Sequence, residues 1–266
     1  RSVEEAVREL PAERASDWLA AVHEARLRHD VRLPLASATR QALNSFLQSH
    51  GWLLRVALGG SGRLVELGAL TSCPGAQAQP WHADADQDES QEGAARILTV
   101  FVALQDVSTA MGPTEVLPGS HFPSLHAEAR RMAGAGLGPA AVGAAAAHLC
   151  REKAPLALEL RSGEAAVIDA RVFHRGGSNV SSRPRALLHF SFMQADAPAP
   201  PGFTYHLLDA LATRPLMLDD FPLDTDVGAG ALEAARAMGG EVEDADTAPT
   251  CGDFGCLRSQ GVCGSR

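Results

Sequence analysis

DARVFHRGGSNVSSRPRALLHFSF, residues 169–192, carries the pattern that decides the fold. His174 follows the apolar run EAAVIDA (164–170), a Gly-Gly-Ser-Asn turn comes next, and Arg185 opens a second run, ALLHFSF. Runs this short, bounded by Gly, Pro, Asn and Ser, read as strands. A hairpin joining the two would bring His174 and Arg185 together at one end of a sheet.

The same short period extends outward through WLLRVAL (52–58), RLVELGAL (63–70), RILTVFVAL (96–104) and LALEL (156–160). No helix-length period separates these runs, so helical crossovers between parallel strands are excluded and an antiparallel sandwich or barrel is left, with a jelly roll as the leading form. The β domain is expected from Gly51 to Gln194. Before it, Val3, Val7, Leu10, Trp18 and Val22 recur at helical spacing, which predicts two helices reaching about His29. A third, short helix is expected from Ala38 to Ser49, ending at Gly51. The chain thus divides into a helical region 1–50, a core 51–195 and a C-terminal arm with a Cys-bearing tail, 196–266. One interruption, the Ala- and Gly-rich insert Ala127 to Cys150, reads as a surface excursion with one poor helix or as a mobile cover. After Gln194 the segment ending in TRPLMLDDFP is expected to pack back onto the sheet.

The 266 residues are 45% hydrophobic and 21% charged, an ordinary globular composition. A net charge of −9 gives no electrostatic footprint for nucleic acid or anionic membrane. Of the 23 basic residues only Lys153 is lysine, so positive charge comes almost entirely as guanidinium, suited to two-pronged recognition of carboxylate or phosphate. No run of 18 apolar residues exists, so no membrane span is expected and the reading is a soluble, intracellular protein. Five cysteines, three of them (Cys251, Cys256, Cys263) crowded in the tail, leave a tail disulfide and free thiols both open.

In GAQAQPWHADAD (75–86), His82 and Asp84 stand two apart and share a face if the segment is extended. Asp86, two further along, shares that face but lies farther from His82. His82, Asp84 and the distant His174 together make the two-histidine, one-carboxylate set that binds Fe(II) on one face and leaves three adjacent positions open. Arg185 then has a separate job: a cosubstrate that chelates iron through a 2-oxoacid end needs a cation for its far carboxylate.

Three linked segments, QPWHADAD, ILTVFVALQDVSTAMGPTEVLPGSH and FHRGGSNVSSRPRALLHFSF, resemble the iron- and 2-oxoglutarate-dependent dioxygenases of the phytanoyl-CoA dioxygenase type in consistent order over about Gly51 to Gln194. The resemblance implies a double-stranded β-helix, a jelly roll with N-terminal helices packed on the sheet. It implies that His82, Asp84 and His174 bind iron and carry the catalysis, that Arg185 binds the C5 carboxylate of 2-oxoglutarate, and that Thr99 and Gln79 contact cosubstrate or substrate. The activity implied is O2-dependent hydroxylation of a C–H bond in a small-molecule or acyl substrate, with release of succinate and CO2. The contrasting reading is a non-catalytic jelly roll that holds a metal or a sugar. Other residues have plainer roles by default: His121 serving a turn, His189 in the core, Trp81 packing, and Arg130, Arg131, Arg171 and Arg175 at the solvated surface.

Overall fold

A computed structural model describes residues 27–85, 94–200, 203–223 and 257–258. The chain enters as strand β1, Arg28–Arg32, and continues into helix α1, Ser37–Ala57. Strands β2, Gly62–Ser72, and β3, Ile97–Ala103, are followed by β4, Thr114–Val116. Two helices, α2 (Pro123–Ala133) and α3 (Pro139–Leu149), interrupt the strands. Then come β5, Leu156–Ala157, β6, Ala165–Asp169, β7, His174–Gly176, and β8, Arg185–Gln194. The arm adds α4, Asp209–Ala212, a single 3-10 turn at Leu218–Asp220, and β9, Leu257–Arg258.

The strands form a six-stranded sheet in the order β1-β2-β8-β3-β6-β9 and a three-stranded sheet β5-β4-β7. Every pairing between them is antiparallel. This is the jelly-roll arrangement of two facing sheets expected from the short strand period. Alternation along β8 divides its side chains. Leu188, Phe190 and Phe192 join Leu43, Leu47 and Leu54 of α1 in the core behind the large sheet. The alternate residues Arg185, Leu187, His189, Ser191 and Met193 project from the opposite face. Leu187 lies in a second core with Phe101, Val116 and Ile168, between the sheets.

Several local expectations are corrected. The helix over 38–49 does not stop at Gly51 but runs to Ala57, so WLLRVAL is its last turns and no strand, and α1 passes through the residue-50 division. Gly51 is tolerated inside the helix because a Cβ there would stand 2.3 Å from Leu223 Cδ2 of the returning arm. The apolar positions Leu47, Leu54 and Leu58 are spaced for one helical face, and tertiary packing on the sheet decides between helix and strand. The helix reaching His29 also fails at its end, because Arg28–Arg32 pairs with β2. The rest of residues 1–26 lies outside the described residues. His174 and Arg185 are not joined by a hairpin, since β7 and β8 belong to different sheets. Within LALEL only Leu156–Ala157 is a strand. The insert holds two helices instead of one. As expected, the arm packs back: Leu207, Leu218 and Phe221 lie in the core with α1.

Candidate metal centre and cosubstrate pocket

The QPWHADAD segment is held against β7 by a two-way backbone bridge: His82 N donates to His174 O at 3.0 Å and His174 N to His82 O at 2.7 Å. His82 therefore sits beside the last strand of the small sheet without being part of a long strand. Asp84 N and Ala85 N both donate to Ala170 O, at 2.9 and 3.0 Å, which turns the chain just after the bridge. The proximity of His82 and Asp84 thus comes from this turn more than from extended-strand alternation.

His82 Nδ1 lies 2.9 Å from Pro80 O, and His174 Nδ1 lies 2.9 Å from Val172 O. A carbonyl can only accept, so each Nδ1 is the donor and each neutral ring carries its lone pair on Nε2. Those two atoms converge on Asp84, with His174 Nε2 3.4 Å from Oδ2 and His82 Nε2 3.8 Å from Oδ1. One ligand atom from each of the three residues lies within 4.8 Å of the others. His174 is buried while His82 and Asp84 are partly exposed, so the cluster opens on one side. The donor set, the tautomers and the open side all fit a divalent iron bound on one face. Asp86 lies outside the described residues.

Arg185, the first residue of β8, is 3% exposed. Its Nη1 donates to Gly112 O at 2.6 Å and its Nη2 to Ser72 Oγ at 3.2 Å, while its Nε is buried without a partner. Gly112 holds φ +65, and a Cβ there would strike Gly177 O at 2.3 Å, so the turn that presents this carbonyl requires glycine. Burial, with the charge of Arg28 added, lowers the Arg185 pKa to about 10. A buried guanidinium with an orphaned N–H and no carboxylate partner among the described residues fits the far carboxylate of 2-oxoglutarate.

Thr99 projects from the same face of the large sheet as Arg185 and is hydrogen-bonded to Ser191 at 2.9 Å. Ser191 in turn donates to Glu66. Glu66 is partly exposed, yet burial raises its pKa, with the nearby Asp84 charge adding. Gln79 Oε1 accepts from Gly176 N at 2.9 Å and so ties the segment before His82 to the strand that carries His174.

His189 is buried, as expected of a core histidine, and is also paired: its Nε2 lies 3.0 Å from Asp30 Oδ1, and His206 Nε2 of the arm approaches the same oxygen at 3.3 Å. His121 lies tilted against Phe122 with ring centroids 4.2 Å apart and its Nδ1 unpartnered, so no turn-serving hydrogen bond from that nitrogen is present. Trp81 packs against the insert core and under Arg175, whose Cζ stands 4.4 Å from the ring centroid. Arg171 pairs with Asp169 and Arg175 with Glu115. Sequence reasoning missed Arg28, Asp30, Glu66, Ser72 and His206. For the first two a signal was present: in RHDVR the charged residues Arg28, Asp30 and Arg32 alternate at strand period.

The sequence pattern of the family described as Phytanoyl-CoA dioxygenase (PhyH) matches residues 5–187. Comparison with curated proteins gives no match. Among solved structures, the chain is similar to the epimerase SnoN in complex with Fe3+, alpha ketoglutarate and nogalamycin RO, at 25% identity and TM-score 0.48 over 77% of this chain and 73% of that one. HygX from Streptomyces hygroscopicus, with nickel and 2-oxoglutarate bound, aligns at 17% identity and TM-score 0.47 over 76% and 78%. AviO1 from Streptomyces viridochromogenes Tue57 aligns at 20% identity and TM-score 0.41 over 56% of this chain, which spans 58% of its length. With its fold, its two-histidine, one-carboxylate cluster and a match over most of its length, this chain belongs to the phytanoyl-CoA dioxygenase family, whose cofactors are iron and 2-oxoglutarate.

Proposed function

We propose that this protein is an Fe(II)- and 2-oxoglutarate-dependent hydroxylase of a small-molecule or acyl substrate, with His82, Asp84 and His174 as iron ligands and Arg185 as the cation for the cosubstrate's C5 carboxylate. The observation that carries the reading is the convergence of His82 Nε2, His174 Nε2 and the Asp84 carboxylate while both Nδ1 atoms face backbone carbonyls. Iron, 2-oxoglutarate and O2 supply the oxidant for a C–H bond, and succinate and CO2 leave. The chain's own residues do the rest. Pro80 O and Val172 O fix the tautomer and orientation of the two imidazoles. Asp84 would hold the metal through its carboxylate, and with that ligand in place the expected product is hydroxylated, or oxidised further to an alkene or ketone, and not chlorinated. Arg185 neutralises the cosubstrate's far end in a dry site, where a guanidinium makes paired hydrogen bonds that an ammonium cannot. Thr99 and Gln79 are proposed to contact cosubstrate or substrate.

The test is metal content and 2-oxoglutarate decarboxylation in His82→Ala, Asp84→Ala and His174→Ala. Each variant should lose iron and turnover. Full iron occupancy with wild-type decarboxylation in His174→Ala would overturn the assignment. A non-catalytic jelly roll has no use for a buried guanidinium with an orphaned Nε, and iron-dependent binding of 2-oxoglutarate separates the two readings.

A further inference from the structure

Arg28, Ser72 and Arg185 occupy one row across three neighbouring strands: Arg28 opens β1 opposite Ser72, which closes β2, and Ser72 stands opposite Arg185, which opens β8. Residues paired in this way project from the same face of the sheet. The Ser72 hydroxyl accepts from Arg28 Nη1 and from Arg185 Nη2. Two donors fill both lone pairs of a hydroxyl oxygen, so its one proton has to be given to a third group. Among the described residues no acceptor stands there, and at 1% exposure bulk water does not serve.

The charges have the same deficit. Arg28 is 8% exposed, and among the described residues no carboxylate lies within ion-pair distance of Arg28 or Arg185. Two buried like charges sharing one oxygen repel and are poorly solvated, which is unfavourable unless an anion joins them. Arg28 cannot swing away to relieve this. Its Nη2 donates to Gln77 O at 2.8 Å and Gly177 O at 2.6 Å, and its Nε reaches Gln77 O at 3.3 Å. Its Nη1 also fills the space over Gly176, where a Cβ would come within 2.5 Å, two residues beyond His174. The guanidinium is thereby fixed between the candidate iron strand and Arg185.

We propose that Arg28 and Ser72 complete the cosubstrate pocket: the Ser72 hydroxyl donates to the far carboxylate of 2-oxoglutarate, and Arg28 holds that hydroxyl and adds a second positive charge. The inference rests on Arg185 binding that carboxylate, as proposed above. The carboxylate takes the orphaned Arg185 Nε–H and the Ser72 O–H, while the two guanidiniums share its charge. The site is thus selective for cosubstrates with a distal anion.

The experiment is calorimetric binding of 2-oxoglutarate to the full chain loaded with Mn(II) without O2, with 2-oxopentanoate, the same chain lacking the distal carboxylate, as the comparison probe. Arg28→Met and Ser72→Ala should each weaken 2-oxoglutarate about tenfold or more while Mn(II) and 2-oxopentanoate affinities change less than about twofold. Arg28→Lys should recover part of the loss, because it restores the charge without the fixed fork. Should Arg28→Met fail to fold, Ser72→Ala, which removes one oxygen, decides alone. Unchanged 2-oxoglutarate affinity in the variants, or an equal loss for both probes, overturns the inference. Arg185→Leu separates the two levels: loss there with none in Arg28→Met and Ser72→Ala sinks only this inference, and no loss in Arg185→Leu sinks the reading of the pocket itself.

Discussion

Arg185 leaves its Nε without a partner in a site closed to water, a condition that a bound carboxylate relieves. Arg185→Leu should therefore weaken 2-oxoglutarate by about 2–5 kcal/mol while iron binding persists, and Arg185→Lys should recover part of that; calorimetry on the metal-loaded protein measures both. The Asp30 and His189 pair makes a prediction in pH. Burial alone would raise the Asp30 pKa, but the hydrogen bond and charge of His189, with the charge of His206, hold the carboxyl well below its usual range. Burial opposes the charged form of His189 too, and the Asp30 carboxylate outweighs it and raises the pKa. A depressed carboxyl stabilises the fold above its unfolded value of about 3.9, and that stabilisation is lost as pH falls through the folded value. A raised histidine stabilises below its unfolded value of about 6.5, and that is lost as pH rises through the folded value. The pair is thus at full strength between about pH 4 and 6.5. Asp30→Asn should cost on the order of 3 kcal/mol in this window and less at higher pH, read from thermal unfolding across pH. A pH-independent loss would show that the pair contributes packing and no charge.

Helices α2 and α3 pack beside the segments that carry His82 and His174. Their apolar residues pack with Trp81, Ala83, Leu117 and Phe173, the neighbours of His82 and His174. Gly143 of α3 lies against the Trp81 backbone so closely that a Cβ would stand 1.7 Å from Trp81 O. Gly143→Ala must therefore displace either the helix or the segment leading into His82. The expected result is a loss of about 1–3 kcal/mol in stability together with weaker iron retention on dialysis, measured by metal content. Stability loss with undiminished iron would mean that the strain is absorbed by the helices. This packing also changes the meaning of the insert. A cover that opens would have to break its contact with the segment that carries His82, and hydrogen exchange with and without 2-oxoglutarate tests whether it does.

The large sheet has one face packed on α1 and an opposite face that carries buried polar residues. Phe190 is fully buried on the α1 side, whereas Arg185, His189 and Ser191 project from the other face of the same strand. Phe190→Ala should lower stability by about 3–5 kcal/mol, yet below its melting temperature it should bind 2-oxoglutarate as the wild type does. Lost cosubstrate binding in the folded variant would show that the two sides are coupled. The division of the chain at residues 50 and 195 stays a proposal, for α1 runs through the first boundary and the arm returns Leu218 and Phe221 to the α1 core. Among the described residues no helix is long and apolar enough to cross a membrane. Cys251, Cys256 and Cys263 lie outside those residues, and the tail disulfide with them.

Short apolar runs bounded by turn residues were sufficient for an antiparallel sandwich or barrel with a jelly roll as its leading form, because strand length and chain reversal are local properties of the chain. The residues of the candidate metal cluster, His82, Asp84 and His174, could be picked out by type before the structure brought them together, since two imidazoles and a carboxylate are a selective donor set. WLLRVAL was not readable, because an apolar run of that length satisfies a helix or a strand and only burial on the sheet chose the helix. Nor was the way His82 meets Asp84 and His174, which depends on a backbone bridge between residues 92 positions apart. Ser72 and His206 stayed hidden for the same physical reason. Each is an unremarkable polar residue in the chain, and only strand register and burial place it beside a partner charge and remove the water that would otherwise solvate it.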